Sequence, residues 1–225
     1  EKNGYQEDIY VRPVAYKSSQ TVGVRLHNLE DDFFVFVTPF GPYLDIGKGA
    51  RCCVSTWRRI DDNMIPARAK VTGLYVNSAL AKTEAWENGF DEAILLTHEG
   101  HVAEGSGENV FLVLQGNLVT PPSSDNILMG ITRDTIIKLA KNELGVDTIE
   151  RPVDRSELYI AEECFLTGTA AHVTPVIEID HRKVGDGKAG EITKKLQKLY
   201  FDVIRGKSPK YLDWCTPAYS SKLVA

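Results

Sequence analysis

Cysteine is scarce in these 225 residues, and the four present (Cys52, Cys53, Cys164 and Cys215) form no CxxC pair. Their spacing suits neither a disulfide framework nor a zinc site and points to reduced thiols in a cytosol-like compartment. Adjacent Cys52 and Cys53 would face opposite sides of a strand, which makes them packing residues rather than joint ligands. Positive charge is also short, with 26 Lys and Arg against 31 Asp and Glu. The resulting net charge of −5 argues against a nucleic-acid partner, which would want a basic face. No apolar run approaches the length of a membrane span, so no membrane partner is expected. There is no internal repeat, no low-complexity tract and no charged-then-apolar leader, and the expected location is the cytoplasm. The chain opens on Glu1 rather than methionine and residues 9–14 already read as a strand, so its natural start is expected upstream.

What is present is an ordinary globular composition, 43% hydrophobic and 25% charged, in a chain long enough to bury a core without disulfides. Runs rich in β-branched and aromatic residues predict strands at 8–16, 32–40, 50–59, 92–97, 109–114, 117–121, 164–169 and 173–179. Gly and Pro punctuate 41–49, which reads as a linker. Helices are predicted at 74–88, ending before Gly89, and at 132–145, where Ile136, Leu139, Ala140 and Leu144 share a face. A third at 191–206 places Ile192, Leu196, Leu199 and Val203 on one stripe, and residues 156–163 read as a short helix. The irregular alternation favours an α+β or mixed α/β core over a regular doubly wound sheet.

Four stretches can carry chemistry. Lys70 sits among Ala, Pro and Val in IPARAKVTGLYVN, with Tyr75 five residues on. It is either a surface lysine or an amine held in an apolar pocket, where burial favours the neutral, nucleophilic form. In VAEGSGENVF, Glu104 and Glu108 lie on a glycine-softened turn. They are either solvated acids on a hairpin or partners for a cationic ring nitrogen. LMGITRD opens a helix whose first amides, at Ile131 and Thr132, would favour an anion; Thr132 could equally be a plain N-cap. LTGTAAHVTPV ends a strand in small residues that let backbone approach a ligand, with the Thr169 hydroxyl and N–H at hand; otherwise it is a turn. Together these supply an amine, an acid for a ring nitrogen and two phosphate-cradling turns. A zinc set of His98, Glu99, His101 and Glu104 is disfavoured, because zinc ligands usually sit on rigid elements at defined spacing.

In this order, AKVTGLYVNS, EGSGENVF, GITRD and TGTAAHVTPV, with YVRP near the start and FGPYL before the linker, resemble the branched-chain-amino-acid aminotransferases, pyridoxal-phosphate enzymes of fold type IV. The resemblance covers nearly the whole chain. It implies a D-amino-acid-aminotransferase-like fold, with a large pseudo-barrel domain over 45–225 preceded at 1–44 by the remnant of a small α/β domain. It implies pyridoxal 5'-phosphate as cofactor and no metal. Lys70 would be the Schiff-base lysine and proton shuttle, Tyr75 would bond the ring's phenolic oxygen, and Glu104 would hold the ring nitrogen. Glu108 and Asn109 would shape that turn, with Asn109 on the cofactor side. Ile131, Thr132 and Thr169 would bind phosphate. Tyr10, Arg12 and Tyr43, with the backbone of Ala170 and Ala171, would line the substrate pocket. The implied reaction moves the amino group of Leu, Ile or Val to 2-oxoglutarate in two half-reactions, within a homodimer or higher homo-oligomer. The family places a further small-domain segment before YVRP, so an N-terminally truncated chain is expected. D-amino-acid aminotransferase and aminodeoxychorismate lyase share the fold, and a non-catalytic fragment of it is a further alternative; YVR and FGPYL favour the branched-chain group.

Overall fold

The computed structural model describes residues 3–41 and 43–218. The chain forms two compact units, one of Glu1–Gly41 with Thr216–Ala225 and one of Pro42–Cys215. In the smaller unit, Ile9–Lys17 (β1) and Asp31–Pro39 (β2) pair as an antiparallel ribbon. The two-residue period puts Tyr10, Arg12 and Val14 on its half-buried face. The Arg12 guanidinium lies 5.0 Å from the centre of the Tyr10 ring.

In the larger unit, nine strands form one sheet: Ala50–Arg58 (β3), Glu92–Leu96 (β4), Val102–Gly105 (β5), Asn109–Leu114 (β6), Asn117–Thr120 (β7), Thr148–Glu150 (β8), Glu163–Gly168 (β9), His172–Ile179 (β10) and Arg182–Lys183 (β11). The order is β5-β4-β3-β10-β9-β6-β7-β8, with β11 beside β10. β3 pairs in parallel with β4 and β10, and β7 with β8; the remaining pairs are antiparallel.

This order forces curvature. β5 and β6 are five pairings apart in the sheet, about 24 Å if it were flat, yet only Ser106, Gly107 and Glu108 join them. A link that short reaches about 14 Å at most. The sheet therefore curls until its first strand meets its sixth, and the Gly105 N–H donates to the Glu108 carbonyl at 2.7 Å. The fold is the mixed α/β, curled half-barrel type that the sequence motifs imply.

Alternation along the strands then sorts the core. Cys52, Ile94, Leu96, Val110, Leu112, Cys164 and Leu166 meet inside the curl. Outside it, Cys53, Ala93 and Leu95 pack on Ala81 and Ala85 of helix Tyr75–Glu87 (α1). On another outer face, Phe111 and Phe165 stack with centroids 5.0 Å apart and are covered by Ile131–Leu139 (α2) and Glu191–Ile204 (α3). Cys52 and Cys53 thus occupy opposite faces as packing residues.

Three departures from the sequence reading have local causes. The Glu104–Glu108 stretch is not a hairpin: β5 pairs only with β4, and β6 pairs with β7 and β9. The helix expected over 132–145 is α-helical only to Leu139, and one π-helical turn, Ala140–Leu144, follows before Gly145 ends it at φ 66°. The helix expected over 156–163 is a five-residue 3-10 turn, Arg155–Tyr159, held by an Asp154–Glu157 capping box. Among the described residues no helix is long and apolar enough to cross a membrane.

The start of α3 is capped from outside. Its N-cap, Gly190, brings no side chain, and a Cβ there would run into the Glu163 carboxylate. Glu163, on β9, instead accepts the N–H groups of Ile192 at 3.0 Å and Thr193 at 2.8 Å. Glu163→Ala is expected to destabilise the fold by about 1–2 kcal/mol, read as a lower urea midpoint at unchanged m-value; an unchanged midpoint would refute the cap.

Candidate active site

A cavity of about 310 Å³ opens in the larger unit. Its wall is drawn from the end of β3, the start of α1, the β5–β6 link, the entry to α2 and the end of β9. Lys70, Tyr75, Glu104, Asn109, Ile131, Thr132 and Thr169 all line it.

Lys70 owes its place to an uncommon backbone. Ala67–Ala69 form one 3-10 turn after Pro66, and Lys70 closes the turn at φ 49°, ψ 42°. For a residue with a Cβ this left-handed conformation costs about 1–2 kcal/mol, a strain typical of functional positions. The amine lies 5.7 Å from the centre of the Tyr75 ring. Of the two alternatives for Lys70, exposure fits the less enclosed one: Lys70, Ala69 and Val71 are all exposed, although Lys70 still lines the cavity.

Glu104 faces the same cavity from β5 and is only 6% exposed. Oε1 lies 2.8 Å from Nη2 of Arg59, itself buried. Oε2 accepts the Leu128 N–H at 3.0 Å and the Asn109 amide at 3.1 Å. Asn109 also donates to the Leu128 carbonyl at 2.8 Å, so one side chain ties the carboxylate to the approach to α2. Burial pushes the Glu104 carboxyl up to about 7, against the Arg59 charge, the Leu128 N–H and the Lys70 charge, which pull it down. A further positive charge arriving beside it would hold it ionised.

The entry to α2 is open to an anion. Thr132 is not the N-cap; Gly130 is, and it offers no side chain to the first amides. The first backbone N–H groups of α2 and Thr132 lie at the cavity wall. A Cβ on Gly130 would strike the Asn109 amide oxygen, so glycine is required for this approach. Across the cavity Thr167, 1% exposed, carries a hydroxyl with no hydrogen-bond partner. An orphan donor in a cavity wall signals a missing polar ligand. Thr169 is exposed on the turn that follows.

Glu108 is 4% exposed in the same wall, and its Oε2 accepts the Gly107 N–H at 3.1 Å. Burial and the nearby Glu92 carboxylate push it up to about 8. Tyr43, Ala170 and Ala171 are not part of this wall; Tyr43 lies under Lys82, whose Nζ is 4.9 Å from the ring centre. Tyr10 and Arg12 belong to the smaller unit. The zinc set does not form: Glu104 is buried against Arg59, while His101 turns to Asp154 at 3.9 Å. Sequence reading missed Arg59 and Thr167. Arg59 follows exposed Arg58, and only strand parity could have told which of the two turns inward; Thr167 looked like an ordinary strand residue.

Residues 1–179 match the family described as amino-transferase class IV. The chain belongs to the class IV aminotransferases. A relative from Aquifex aeolicus, named as a probable branched-chain-amino-acid aminotransferase, is 54% identical over 97% of this chain and 70% of its own length. The branched-chain aminotransferase of Thermoproteus uzoniensis, solved with norvaline, superposes with a TM-score of 0.92 at 47% identity, over 96% of this chain and 71% of that one. The branched-chain amino acid aminotransferase of Thermobaculum terrenum, solved in its PLP-bound holo-form, superposes with a TM-score of 0.92 at 39% identity, over 97% and 71%.

Two outcomes follow. Gly130→Ala displaces Asn109 and with it a hydrogen bond to the buried Glu104 carboxylate. Such a loss is worth about 1–3 kcal/mol, so pyridoxal phosphate affinity should fall about tenfold or more with an unchanged circular-dichroism spectrum; unchanged affinity would refute the link. Glu104 and Glu108 both have folded-state values raised above the usual 4.5. The stability they contribute is full below that value and is lost as pH rises through about 7 and about 8. The ligand-free chain should therefore melt at lower temperature at alkaline than at mildly acidic pH, and Glu108→Gln should flatten that slope; a melting temperature that climbs over this range would contradict the assignment.

Proposed function

We propose that this class IV aminotransferase moves the amino group of L-leucine, L-isoleucine or L-valine to 2-oxoglutarate, with pyridoxal 5'-phosphate in the cavity. The observation that carries the reading is the convergence of the Lys70 amine, the Glu104 carboxylate and the uncapped end of α2 on one cavity of ligand size. The orphan Thr167 hydroxyl and the close approach at Gly130 fit a polar ligand there. The relatives' names support the substrate class, and the PLP-bound form of the Thermobaculum terrenum enzyme supports the cofactor.

When bound, pyridoxal phosphate supplies an electrophilic carbon for the amino group and a ring that takes up electrons from the substrate. The protein's side chains do the rest. Lys70 would hold the cofactor through Nζ, and the same nitrogen, once free, would take and return the substrate's proton. Glu104 holds the proton on the ring nitrogen. Arg59, Asn109 and the Leu128 N–H position that carboxylate, and Arg59 and the Leu128 N–H favour its ionised form against burial. The amides of Ile131 and Thr132, with Thr169, take the phosphate, where the positive end of the helix dipole favours it. Tyr75, whose ring centre lies 5.7 Å from the Lys70 amine, would bond the ring's phenolic oxygen. By the resemblance, Tyr43 and the backbone of Ala170 and Ala171 would receive the substrate. The two substrates use the site in turn, the amino acid leaving as a 2-oxo acid before 2-oxoglutarate enters. The working form is a homodimer or larger, in keeping with the exposed apolar residues Trp57, Val76, Leu80 and Trp86 on β3 and α1.

L-Leucine with 2-oxoglutarate should yield glutamate, whereas D-alanine should not serve as donor. Lys70→Ala should lower turnover by about 100- to 10,000-fold and remove the visible absorbance of the holoenzyme. Turnover of D-alanine in place of L-leucine, or full activity in Lys70→Ala, would overturn the reading.

A further inference from the structure

The cavity wall contains a second carboxyl group, Glu108, for which the reaction above has no role. Five titratable groups interact with it electrostatically. Glu92 comes from β4 and is fully buried; Lys82 comes from α1; Glu104 comes from β5; Tyr43 precedes β3; and the Cys52 thiol lies on β3. Lys82 is the one cation among these five, and it is already committed: its Nζ lies 2.6 Å from Glu92 Oε2 and 2.6 Å from the Asp91 carbonyl. Glu92 Oε1 in turn accepts the Ala93 N–H at 2.8 Å. An ionised Glu108 would thus be a buried negative charge beside two others, with only a backbone N–H on its own oxygen. Such a group is far cheaper to bury with a proton on it.

Glu108 also abuts the turn after β9. A Cβ placed on Gly168 would come within 3.6 Å of Glu108 Cγ and 3.9 Å of Ala171 Cβ. The unpartnered, buried Thr167 hydroxyl lies one residue before that glycine, in the same cavity wall. A ligand in that cavity therefore lies beside Glu108. The amino and 2-oxo acids of the proposed reaction each carry a carboxylate, and a second carboxylate fixed in the wall would oppose it.

We propose that Glu108, buried in the cavity wall with a backbone N–H on its carboxyl and no cation of its own, is the neutral acid that lets an anionic amino or 2-oxo acid bind, and that its ionisation excludes them. The substrate half rests on the aminotransferase reading; the protonation half does not. Glu92 acts through Glu108 and is a positioning residue. As pH rises through the Glu108 transition the wall gains negative charge, so the affinity for anionic substrates falls.

Infrared difference spectra of the ligand-free chain, wild type minus Glu108→Gln, should contain the carbonyl stretch of a protonated carboxylic acid below about pH 7 that is gone above about pH 9. Glu92→Gln keeps the shape and an oxygen for Lys82, and should move the midpoint of that band down by about one pH unit or more. In the holoenzyme, KM for 2-oxoglutarate should rise several-fold across the transition in wild type and stay level in Glu108→Gln, relative to kcat. Absence of the band, a midpoint unmoved by Glu92→Gln, or identical KM profiles would overturn the proposal. An inactive wild type that still shows the band would count against the transaminase reading instead.

Discussion

The site depends on a topological closure. Three residues join two strands that the sheet order places at opposite ends of a six-strand path, and the sheet can satisfy that link only by curling. The closure brings Glu104 at the end of one strand and Asn109 at the start of the next to the same place. The strand must end in a glycine before the link, because a Cβ on Gly105 would come within 2.7 Å of Glu108 Oε2. The two glutamates that look like an idle acidic turn in the sequence are therefore the clasp of a half-barrel, and both face a ligand cavity.

Charge in that cavity is arranged rather than merely present. Arg59 balances Glu104 in a buried pair, with the Asn109 amide and the Leu128 N–H satisfying the remaining oxygen, as a buried ion pair requires. Lys70 waits on a strained turn with its amine beside an aromatic ring. The entry to α2 presents backbone amides that no side chain caps. Behind the wall, Lys82 and Glu92 form a second pair that leaves Glu108 without a counter-ion. One carboxylate is held ready for a cation and the other close to neutrality, through differences in partner rather than in burial.

Much of this was legible in the sequence, for reasons that vary by residue. Strands with strong β-branched or aromatic content, such as β2, β4 and β6, are visible from composition, and α3 from its apolar stripe. β5 and β8 are only four and three residues long, too short for any period to register. Lys70, Glu104, Ile131, Thr132 and Thr169 stood out through motif order, and the fold brings them to one cavity. The choice of N-cap for α2 was not legible, because Thr132 suits that position while the fold gives it to Gly130 through the close approach of Asn109. Arg59 and Lys82 were invisible for the same reason. Each is an ordinary surface-type residue until the sheet order supplies a buried carboxylate opposite it, and nothing local in the chain encodes that pairing.

The central claim is that the amine at position 70 carries the cofactor opposite the carboxylate at 104. Its most direct test is chemical mapping. The holoprotein is reduced with borohydride, digested, and its peptides sequenced by mass spectrometry. The account predicts a phosphopyridoxyl group on Lys70 and on no other lysine. The same label on Lys82 or on a surface lysine, with Lys70 unmodified, would contradict it.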